Sequence, residues 1–190
     1  MKAHAIGNDV VDLAAPDTRP AAQHPRFDAR AFTAAERAAI GSGPAAHRRR
    51  WAFWAAKEAA YKALRQEHPA LGFVPGRFAV AFAGGRCEGA GSVAVGPLRI
   101  PVTVRVGPGW IHAIAHRAGT APPIARVVRC RPGEDPRAAV RAAALASQPG
   151  AAGIERVRRV PRLRTGTGTL PLSLSHHGRF VAFAHFGEDA

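Results

Sequence analysis

The N-terminal stretch of the chain carries a short β pattern. Residues 5–13, Ala-Ile-Gly-Asn-Asp-Val-Val-Asp-Leu, are predicted to form a strand that follows a tight Gly-Asn step. Because side chains alternate along a strand, Asp9 and Val11 are expected on one face and Val10 and Asp12 on the other. The two acids of this strand therefore point in opposite directions.

Helical periodicity follows in two segments. Thr33 stands three residues before Glu36, which is the spacing of a capping box, and the helix that it opens is expected to end near Gly41. After Pro44 the clearest helix is predicted, from about residue 47 to residue 65. One face of this helix carries residues three or four positions apart: Trp51, Trp54, Ala55, Glu58 and Lys62.

The rest of the chain shows β patterns interrupted by glycines and by one Ala-rich helix. Residues 77–116 contain β runs typical of an antiparallel meander, and Gly119–Pro123 is the best candidate for a linker. Beyond it the pattern predicts a strand over 124–131, a helix over 135–147, a basic strand over 154–164 and two strands within 170–186 with Ser175-His-His-Gly178 between them. Both halves of the chain thus set a helix against strands, which favours two α+β units.

Composition and charge narrow the class of protein. With 190 residues and 47% hydrophobic content, the chain is long enough to bury a core. No apolar run reaches the roughly 18 to 20 residues of a membrane span and no signal peptide is recognisable, so a soluble, cytoplasmic protein without a membrane partner is expected. Its 27 Lys and Arg against 13 Asp and Glu give a formal charge of +14, which attracts anionic partners.

The positive charge is carried almost entirely by arginine. The chain contains only three lysines, and two of them, Lys57 and Lys62, lie five residues apart on the predicted long helix. Lysine supplies a compact ammonium that can lose its proton, whereas the guanidinium of arginine keeps its proton. This placement suggests a chemical need for lysine there, with chance clustering as the alternative.

Two carboxylates of the predicted elements can share one cleft. If the first strand packs on the long helix, Asp9 and Glu58 point toward each other with Lys62 beside them. Two carboxylates together with phosphate oxygens and water are a common way of holding Mg²⁺. The alternative is an ordinary Glu58 to Lys62 pair on an exposed helix, which contributes only about 0.2 to 0.5 kcal/mol.

Three ordered elements resemble the 4′-phosphopantetheinyl transferase superfamily. Residues 54–64, Trp-Ala-Ala-Lys-Glu-Ala-Ala-Tyr-Lys-Ala-Leu, resemble its Trp-x-x-Lys-Glu-Ala-x-x-Lys signature, and residues 6–11, Ile-Gly-Asn-Asp-Val-Val, resemble its Gly-x-Asp strand. The gap of about fifty residues between them is also similar. Between these elements, Arg26-Phe27 and residues 31–36, Ala-Phe-Thr-Ala-Ala-Glu, resemble its Arg-Phe and Phe-Thr-x-x-Glu elements.

This resemblance implies an activity and a set of site residues. It implies a transferase that moves the phosphopantetheine arm of coenzyme A to a serine of an acyl or peptidyl carrier protein, with Mg²⁺ or Mn²⁺ as the metal. By the same resemblance Asp9 and Glu58 match the metal-binding acids, Lys57 and Lys62 match lysines that contact the pyrophosphate, and either Glu58 or Lys62 assists removal of the serine proton. Larger members carry a second acid two residues after the first, and Val11 occupies that position here.

The C-terminal part carries a second resemblance, in an unexpected order. Residues 172–184, which include Ser175, His176 and Gly178, resemble the Ser-His-Ser-Gly hairpin of the first half of the larger, surfactin-synthetase-activating type, where Ser-His contacts coenzyme A phosphates. The implied fold is α+β with two pseudo-symmetric halves, each a helix on a mainly antiparallel sheet. A catalytic half over 1–119 would precede the Ser-His half over 120–190, which is the reverse of the family order.

The swapped order leaves an alternative open. A small synthase with an enlarged central insertion would also end in a Ser-His-like strand, and three such chains would associate with sites between them, whereas the swapped chain is expected to be a monomeric pseudo-dimer. The family turn Gly-Lys-Pro lacks its lysine here, because the turn is Gly-Thr-Leu-Pro, and Arg162 or Arg164 is the expected substitute.

Two arginines are candidates for binding an acidic partner. Arg48 lies just before the catalytic segment of the long helix, where the helix dipole disfavours cations unless an anion is near. A coenzyme A phosphate or an acidic carrier-protein helix would supply that anion, and Arg26 could share the surface that meets the carrier protein. Two other functions compete with transfer. One is a family member that binds coenzyme A or a carrier protein without turnover, and the other is a basic nucleic-acid-binding protein, although no nucleic-acid-binding motif is present and no nucleic-acid partner is expected.

Overall fold

Two five-stranded antiparallel sheets carry the fold of the residues that the computed structural model describes, which are 5–117, 121–158 and 160–187. The strands of the first sheet are β1 (Ile6–Asp12), β2 (Ala79–Phe82), β3 (Gly89–Val95), β4 (Leu98–Gly107) and β5 (Trp110–His116). The strands of the second sheet are β6 (Ile124–Arg129), β7 (Gly153–Val157), β8 (Val160–Thr165), β9 (Gly168–His177) and β10 (Phe180–His185). The α-helices are α1 (Phe27–Ala31), α2 (Ala34–Ile40), α3 (Ala46–Glu67) and α4 (Pro136–Ala146).

The two sheets repeat one topology. The first has the strand order β1-β5-β4-β3-β2 and the second has the order β6-β10-β9-β8-β7. In each case a leading strand is followed by a main helix and four antiparallel strands, and the last strand returns to pair with the leading one. The predicted α+β fold with two pseudo-symmetric halves is therefore confirmed.

Helix α3 packs directly on β1, and small residues make this approach possible. Alanines at positions 55, 56, 59, 60 and 63 of α3 are fully buried. A Cβ atom added at Gly7 would lie 1.9 Å from the carbonyl oxygen of Ala59 and 2.6 Å from the backbone nitrogen of Ala63. Only glycine fits at this position of the strand. The close contact brings the C-terminal half of α3 within side-chain reach of β1.

The short helix α2 begins with the predicted capping box. Thr33 Oγ1 accepts a hydrogen bond of 3.2 Å from the Glu36 N–H, and Glu36 Oε2 accepts one of 2.7 Å from the Thr33 N–H. The helix ends at Gly41, which has a φ of +58°. The sequence-based expectation is confirmed at both ends.

Strand β1 also forms the contact between the two halves. Val11 belongs to the main core with α3, whereas Val10 packs with Phe180 and Ala182 of β10. On the same side as Val10, Asp12 accepts hydrogen bonds from the Arg179 guanidinium at 2.8 and 2.7 Å. The predicted alternation of side chains along this strand is confirmed, and it directs one face to α3 and the other to the second sheet.

The predicted elements and the structure differ at three places. The basic strand expected over 154–164 is the hairpin of β7 and β8, in which Val157 pairs with Val160. Strand β3 was not expected, because glycines at its start weaken the β pattern. Ser175 and His176 lie within β9, not between strands, because the turn lies at Gly178. The predicted linker Gly119–Pro123 begins outside the described residues.

No helix in the described ranges is both long enough and apolar enough to cross a membrane.

Candidate functional site

The site is built around an ion pair between β1 and α3. Lys62 Nζ donates a hydrogen bond of 2.7 Å to Asp9 Oδ1 and another of 3.1 Å to the carbonyl oxygen of Asn8. The side chains remain partly open to solvent, with 30% of Lys62 and 13% of Asp9 exposed. Because Asp9 lies on the α3 face of β1, the strand presents its carboxylate to the helix and not to the second sheet.

Glu58 completes the group of charges, one helical turn before Lys62. Burial, and to a smaller extent the negative charge of Asp9, raise the pKa of Glu58 to about 7, while the Lys62 ammonium acts in the opposite direction. Burial likewise raises the pKa of Asp9, against the lowering effect of Lys62 and of the nearby histidines. Asp9, Glu58 and Lys62 are called the Asp9 cluster below, because the Asp9 charge raises the pKa of Glu58 and the Lys62 ammonium lowers the pKa of both carboxyls.

The donor chemistry of the Asp9 cluster fits a hard divalent cation. In the described ranges, no three His, Cys, Asp or Glu side chains gather in a way that could hold a metal ion. Val11, two residues after Asp9, contributes no third acid, and Asp12 faces the second sheet. Two carboxylates can nevertheless hold Mg²⁺ when phosphate and water oxygens supply the other ligands. Burial is the main cause of the raised pKa values of Asp9 and Glu58, and a divalent cation bound by both carboxylates would favour their charged forms.

A cavity of about 630 Å³ opens beside Lys62, between α3 and the second sheet. Its α3 wall contains Tyr61, Lys62, Arg65 and Gln66, and its other wall contains apolar residues of β7, β8 and β9 together with Arg158 and Arg162. Four cationic side chains thus line a cavity that also has apolar walls. Such a cavity suits a ligand with anionic groups joined to an aromatic or aliphatic part.

Two arginines of the β7 and β8 hairpin, Arg158 and Arg162, line this cavity. Arg158 has a φ of +50°, which is uncommon for a residue other than glycine. Arg162 lines the cavity, whereas Arg164 is exposed and is not part of the lining. Of the two arginines expected to replace the missing turn lysine, the structure brings Arg162 to the cavity.

Ser175 and His176 differ in their surroundings. Ser175 is buried, and its hydroxyl donates a hydrogen bond of 2.6 Å to Asn8 Oδ1. His176 is exposed at the end of β9, close enough for its charge to contribute to lowering the pKa of Asp9. His176 therefore lies near the Asp9 cluster, whereas the Ser175 hydroxyl is hydrogen-bonded to Asn8 of β1.

Lys57 lies on another face of α3, contrary to the expectation that it joins Lys62. Its side chain is fully buried, and its Nζ lies 2.7 Å from Glu36 Oε2 and donates to the Pro75 carbonyl oxygen at 3.1 Å. Adjacent residues on a helix diverge by about 100°, so Lys57 and Glu58 cannot both face β1. Burial lowers the pKa of Lys57, while its pairing with Glu36 acts in the opposite direction. The pair links α3 to α2 and does not reach the cavity.

Arg26 and Arg48 are exposed and lie outside the cavity lining. Arg26 directly precedes α1, and Arg48 lies in the first turn of α3. Their neighbour Arg50 is engaged by Asp28 through two hydrogen bonds of 2.8 Å. Arg26 and Arg48 are therefore placed for a partner on the surface and not for a ligand in the cavity.

Sequence reasoning missed several residues around the site. Arg65 and Gln66 follow Lys62 by three and four positions, so helical spacing could have placed them beside it. Arg158 has no such signal, because its position depends on how the second sheet meets α3. His177 was also missed: its Nδ1 accepts a 3.0 Å hydrogen bond from the Asp12 N–H and so helps to join the halves.

Comparison with known families finds a match in the N-terminal part of the chain. A sequence model of the 4′-phosphopantetheinyl transferase superfamily matches residues 5–82. This range runs from the residue before β1 to the end of β2 and contains the whole Asp9 cluster. No curated protein matches the chain significantly. The superfamily resemblance seen in the sequence is confirmed over residues 5–82, and it implies a transferase that uses coenzyme A.

Proposed function

We propose, from the membership of residues 5–82 in the 4′-phosphopantetheinyl transferase superfamily, that this protein transfers the phosphopantetheine arm of coenzyme A to a carrier-protein serine. The observation that carries the proposal is the Asp9 cluster, because three residues that match the superfamily motif meet at one place beside a cationic cavity. The reaction class is that of a holo-acyl-carrier-protein synthase, and its product besides the loaded carrier is adenosine 3′,5′-bisphosphate.

Coenzyme A occupies the cavity in this proposal. Its phosphates meet Lys62, Arg65, Arg158 and Arg162, and its apolar portions lie against the walls formed by the second sheet. Asp9 and Glu58 would hold Mg²⁺ or Mn²⁺, which would supply charge neutralisation at the pyrophosphate. His176, whose charge contributes to lowering the pKa of Asp9, would add a further contact to an anionic group of the ligand.

The chemical step is an attack of the serine oxygen on the phosphorus that bears the pantetheine arm. A new oxygen–phosphorus bond forms, the bond to the bridging pyrophosphate oxygen breaks, and adenosine 3′,5′-bisphosphate leaves with the electron pair. Glu58 takes the serine proton, since Lys62 donates its hydrogen bond to Asp9 and so leaves the Glu58 carboxylate for this role. Lys62 keeps its ammonium and stabilises the charge on the phosphate oxygens.

The carrier protein docks on the exposed arginines near α1 and the start of α3. Arg26 and Arg48 are exposed there and do not line the cavity, and the chain as a whole has a formal charge of +14. An acidic carrier protein would be attracted to this surface and would supply the anion that favours cations at a helix N-terminus.

The proposed domains are residues 1–119 as the catalytic half and 120–190 as the second half, in swapped order. The repeated topology of the two sheets supports this proposal. The cavity supports it as well, because α3 and the second sheet of one chain line it together. A site lined within one chain favours a monomer, and a stable trimer in solution would contradict the swapped arrangement.

The test of the function is transfer of a labelled phosphopantetheine arm to a carrier protein. Several acyl and peptidyl carrier proteins are incubated with labelled coenzyme A, and each is compared with a variant in which alanine replaces its acceptor serine. We expect label on at least one intact carrier and none on its alanine variant. Tight coenzyme A binding without transfer to any carrier would instead favour a binding protein.

A further inference from the structure

Asn8 of β1 has a fully buried side chain, and its polar atoms contact β9, β5 and α3. Its N–H donates a hydrogen bond of 2.8 Å to Ser173 Oγ, and its Oδ1 accepts one of 2.6 Å from Ser175 Oγ, both on β9. The same Oδ1 lies 3.2 Å from Nε2 of His112 on β5. Its carbonyl oxygen accepts the hydrogen bond of Lys62 from α3. One buried residue therefore joins both sheets to the helix of the Asp9 cluster.

The amide of Asn8 carries an energetic cost that packing alone does not explain. Its Nδ2 is buried and has no hydrogen-bond partner in the described part of the chain. A buried polar group left without a partner costs about 1 to 3 kcal/mol. Leucine has a similar volume and would avoid this cost, but it would remove the acceptor of the Ser175 hydroxyl and of His112, so the asparagine serves to connect these groups.

The hydrogen bonds of Asn8 lead to the cavity wall and to the Asp9 cluster. Ser173 lies in the cavity wall, and Lys62 belongs both to that wall and to the Asp9 cluster. Asn8 holds Ser173 through its N–H and Lys62 through its C=O, while its side chain is fixed by Ser175 and His112. A shift of β9 relative to β1 would therefore move the carbonyl that orients the Lys62 ammonium.

We propose that Asn8 is a positioning residue that couples β9 in the cavity wall to the ion pair of Asp9 and Lys62. Ser175 acts through it: the serine hydroxyl holds the Asn8 amide, and this fixes the backbone that the Lys62 ammonium contacts. The kinetic consequence of this coupling rests on the proposed function, whereas the coupling itself does not. In this proposal Ser175 positions Asn8 and does not contact a phosphate.

The coupling can be measured without any enzymatic activity. The chain has three lysines, Lys2, Lys57 and Lys62, so protein made with ¹³C-labelled lysine side chains gives few signals to assign. In Ser175→Ala we expect the Lys62 signal to move while the Lys57 signal stays, because Lys57 is bound to Glu36 on another face of α3. Ser175→Thr keeps the hydroxyl and should return the Lys62 signal toward its wild-type position.

A matched control removes a different serine from a similar hydrogen bond. Ser147 Oγ lies 2.7 Å from Nε2 of His185, between α4 and β10, where it contacts no residue of the Asp9 cluster. Ser147→Ala should leave the Lys62 signal unchanged. A Lys62 signal that is identical in Ser175→Ala and in the wild type would overturn the proposal, as would an equal movement in Ser147→Ala. If Ser175→Ala does not fold, Asn8→Leu provides the same comparison.

Transfer kinetics give the second readout. In Ser175→Ala we expect kcat to fall about tenfold, since a misplacement of about 1 Å in reacting groups can cost up to about 100-fold. The KM for coenzyme A should stay within about twofold. A raised KM at unchanged kcat would make Ser175 a binding residue and would contradict the positioning role. If the wild type transfers nothing to any carrier, the proposed function fails, and the lysine signals still decide the coupling.

Discussion

Lys62 Nζ lies 2.7 Å from Asp9 Oδ1, and this contact joins α3 to β1 at the mouth of a cationic cavity. Glycine at position 7 permits it, because a Cβ atom there would collide with the backbone of Ala59. A packing constraint on the strand thus places the two charged groups that the proposed transfer requires.

Substitutions at Lys62 distinguish a role of its positive charge from a role in proton transfer. In Lys62→Ala we expect kcat for transfer to fall about 100-fold, since one preorganised charge at a reacting phosphate is worth roughly 100- to 1,000-fold. Lys62→Arg keeps a positive charge and should recover a substantial part of the loss. The measurement is steady-state transfer with both variants. An equal loss in the two variants would contradict the charge role.

Gly7→Ala tests the close approach of β1 to α3. The added Cβ would meet the Ala59 carbonyl oxygen at 1.9 Å, so the strand must move away from the helix. We expect a loss of about 3 kcal/mol in the free energy of unfolding, at the upper end of overpacking effects. Urea denaturation measures it. The control is Gly72→Ala, where no atom lies within 4 Å, and a similar loss in both variants would refute the packing argument.

His112 should make the protein less stable at acid pH. Burial lowers the pKa of His112 to about 3, with smaller contributions from the charges of Arg105 and Lys62. The unfolded chain has the ordinary histidine pKa of about 6.5, so between these values the unfolded state binds a proton that the folded state does not. Stability from this group is complete above about pH 6.5 and is lost as the pH falls toward 3, by up to about 1.4 kcal/mol per pH unit.

The substitution His112→Gln isolates this effect. Glutamine can still donate to Asn8 Oδ1 but does not titrate, so unfolding free energies measured from pH 7 to pH 4 should decline less than in the wild type. Glu58 has a raised pKa and acts in the opposite direction, which is why the comparison is between variant and wild type. The exposed His24 provides the control in His24→Gln. Identical pH profiles of His112→Gln and wild type would show that His112 does not contribute.

The parts of the fold that depend on local patterns could be predicted from the sequence. The capping box of Thr33 and Glu36 and the alternation of Asp9 and Val10 are set by neighbouring residues, and both were found. The hairpin of β7 and β8 was missed because its turn at Arg158 uses a positive φ without glycine. A turn of that kind has no sequence signal.

The site could be predicted only where a motif determines it. The sequence indicated that Asp9, Glu58 and Lys62 converge, but it also grouped Lys57 with them, since two lysines in one motif give no sign of which faces β1. The partner that holds Lys57, Glu36, lies on another helix. The cavity and the Asn8 contacts depend on how the second sheet packs against β1. The local pattern of hydrophobic and polar residues does not predict this packing.

The most direct test of the central claim is metal-dependent transfer by the wild type beside Asp9→Asn and Glu58→Gln. The claim is that Asp9 and Glu58 serve together in a metal-assisted phosphopantetheine transfer, so a chelator should abolish labelling of the carrier and added Mg²⁺ should restore it. Both variants should lose at least about 100-fold in kcat while unfolding at urea concentrations close to that of the wild type. Unimpaired transfer in the presence of a chelator, or wild-type turnover by either variant, would contradict the account.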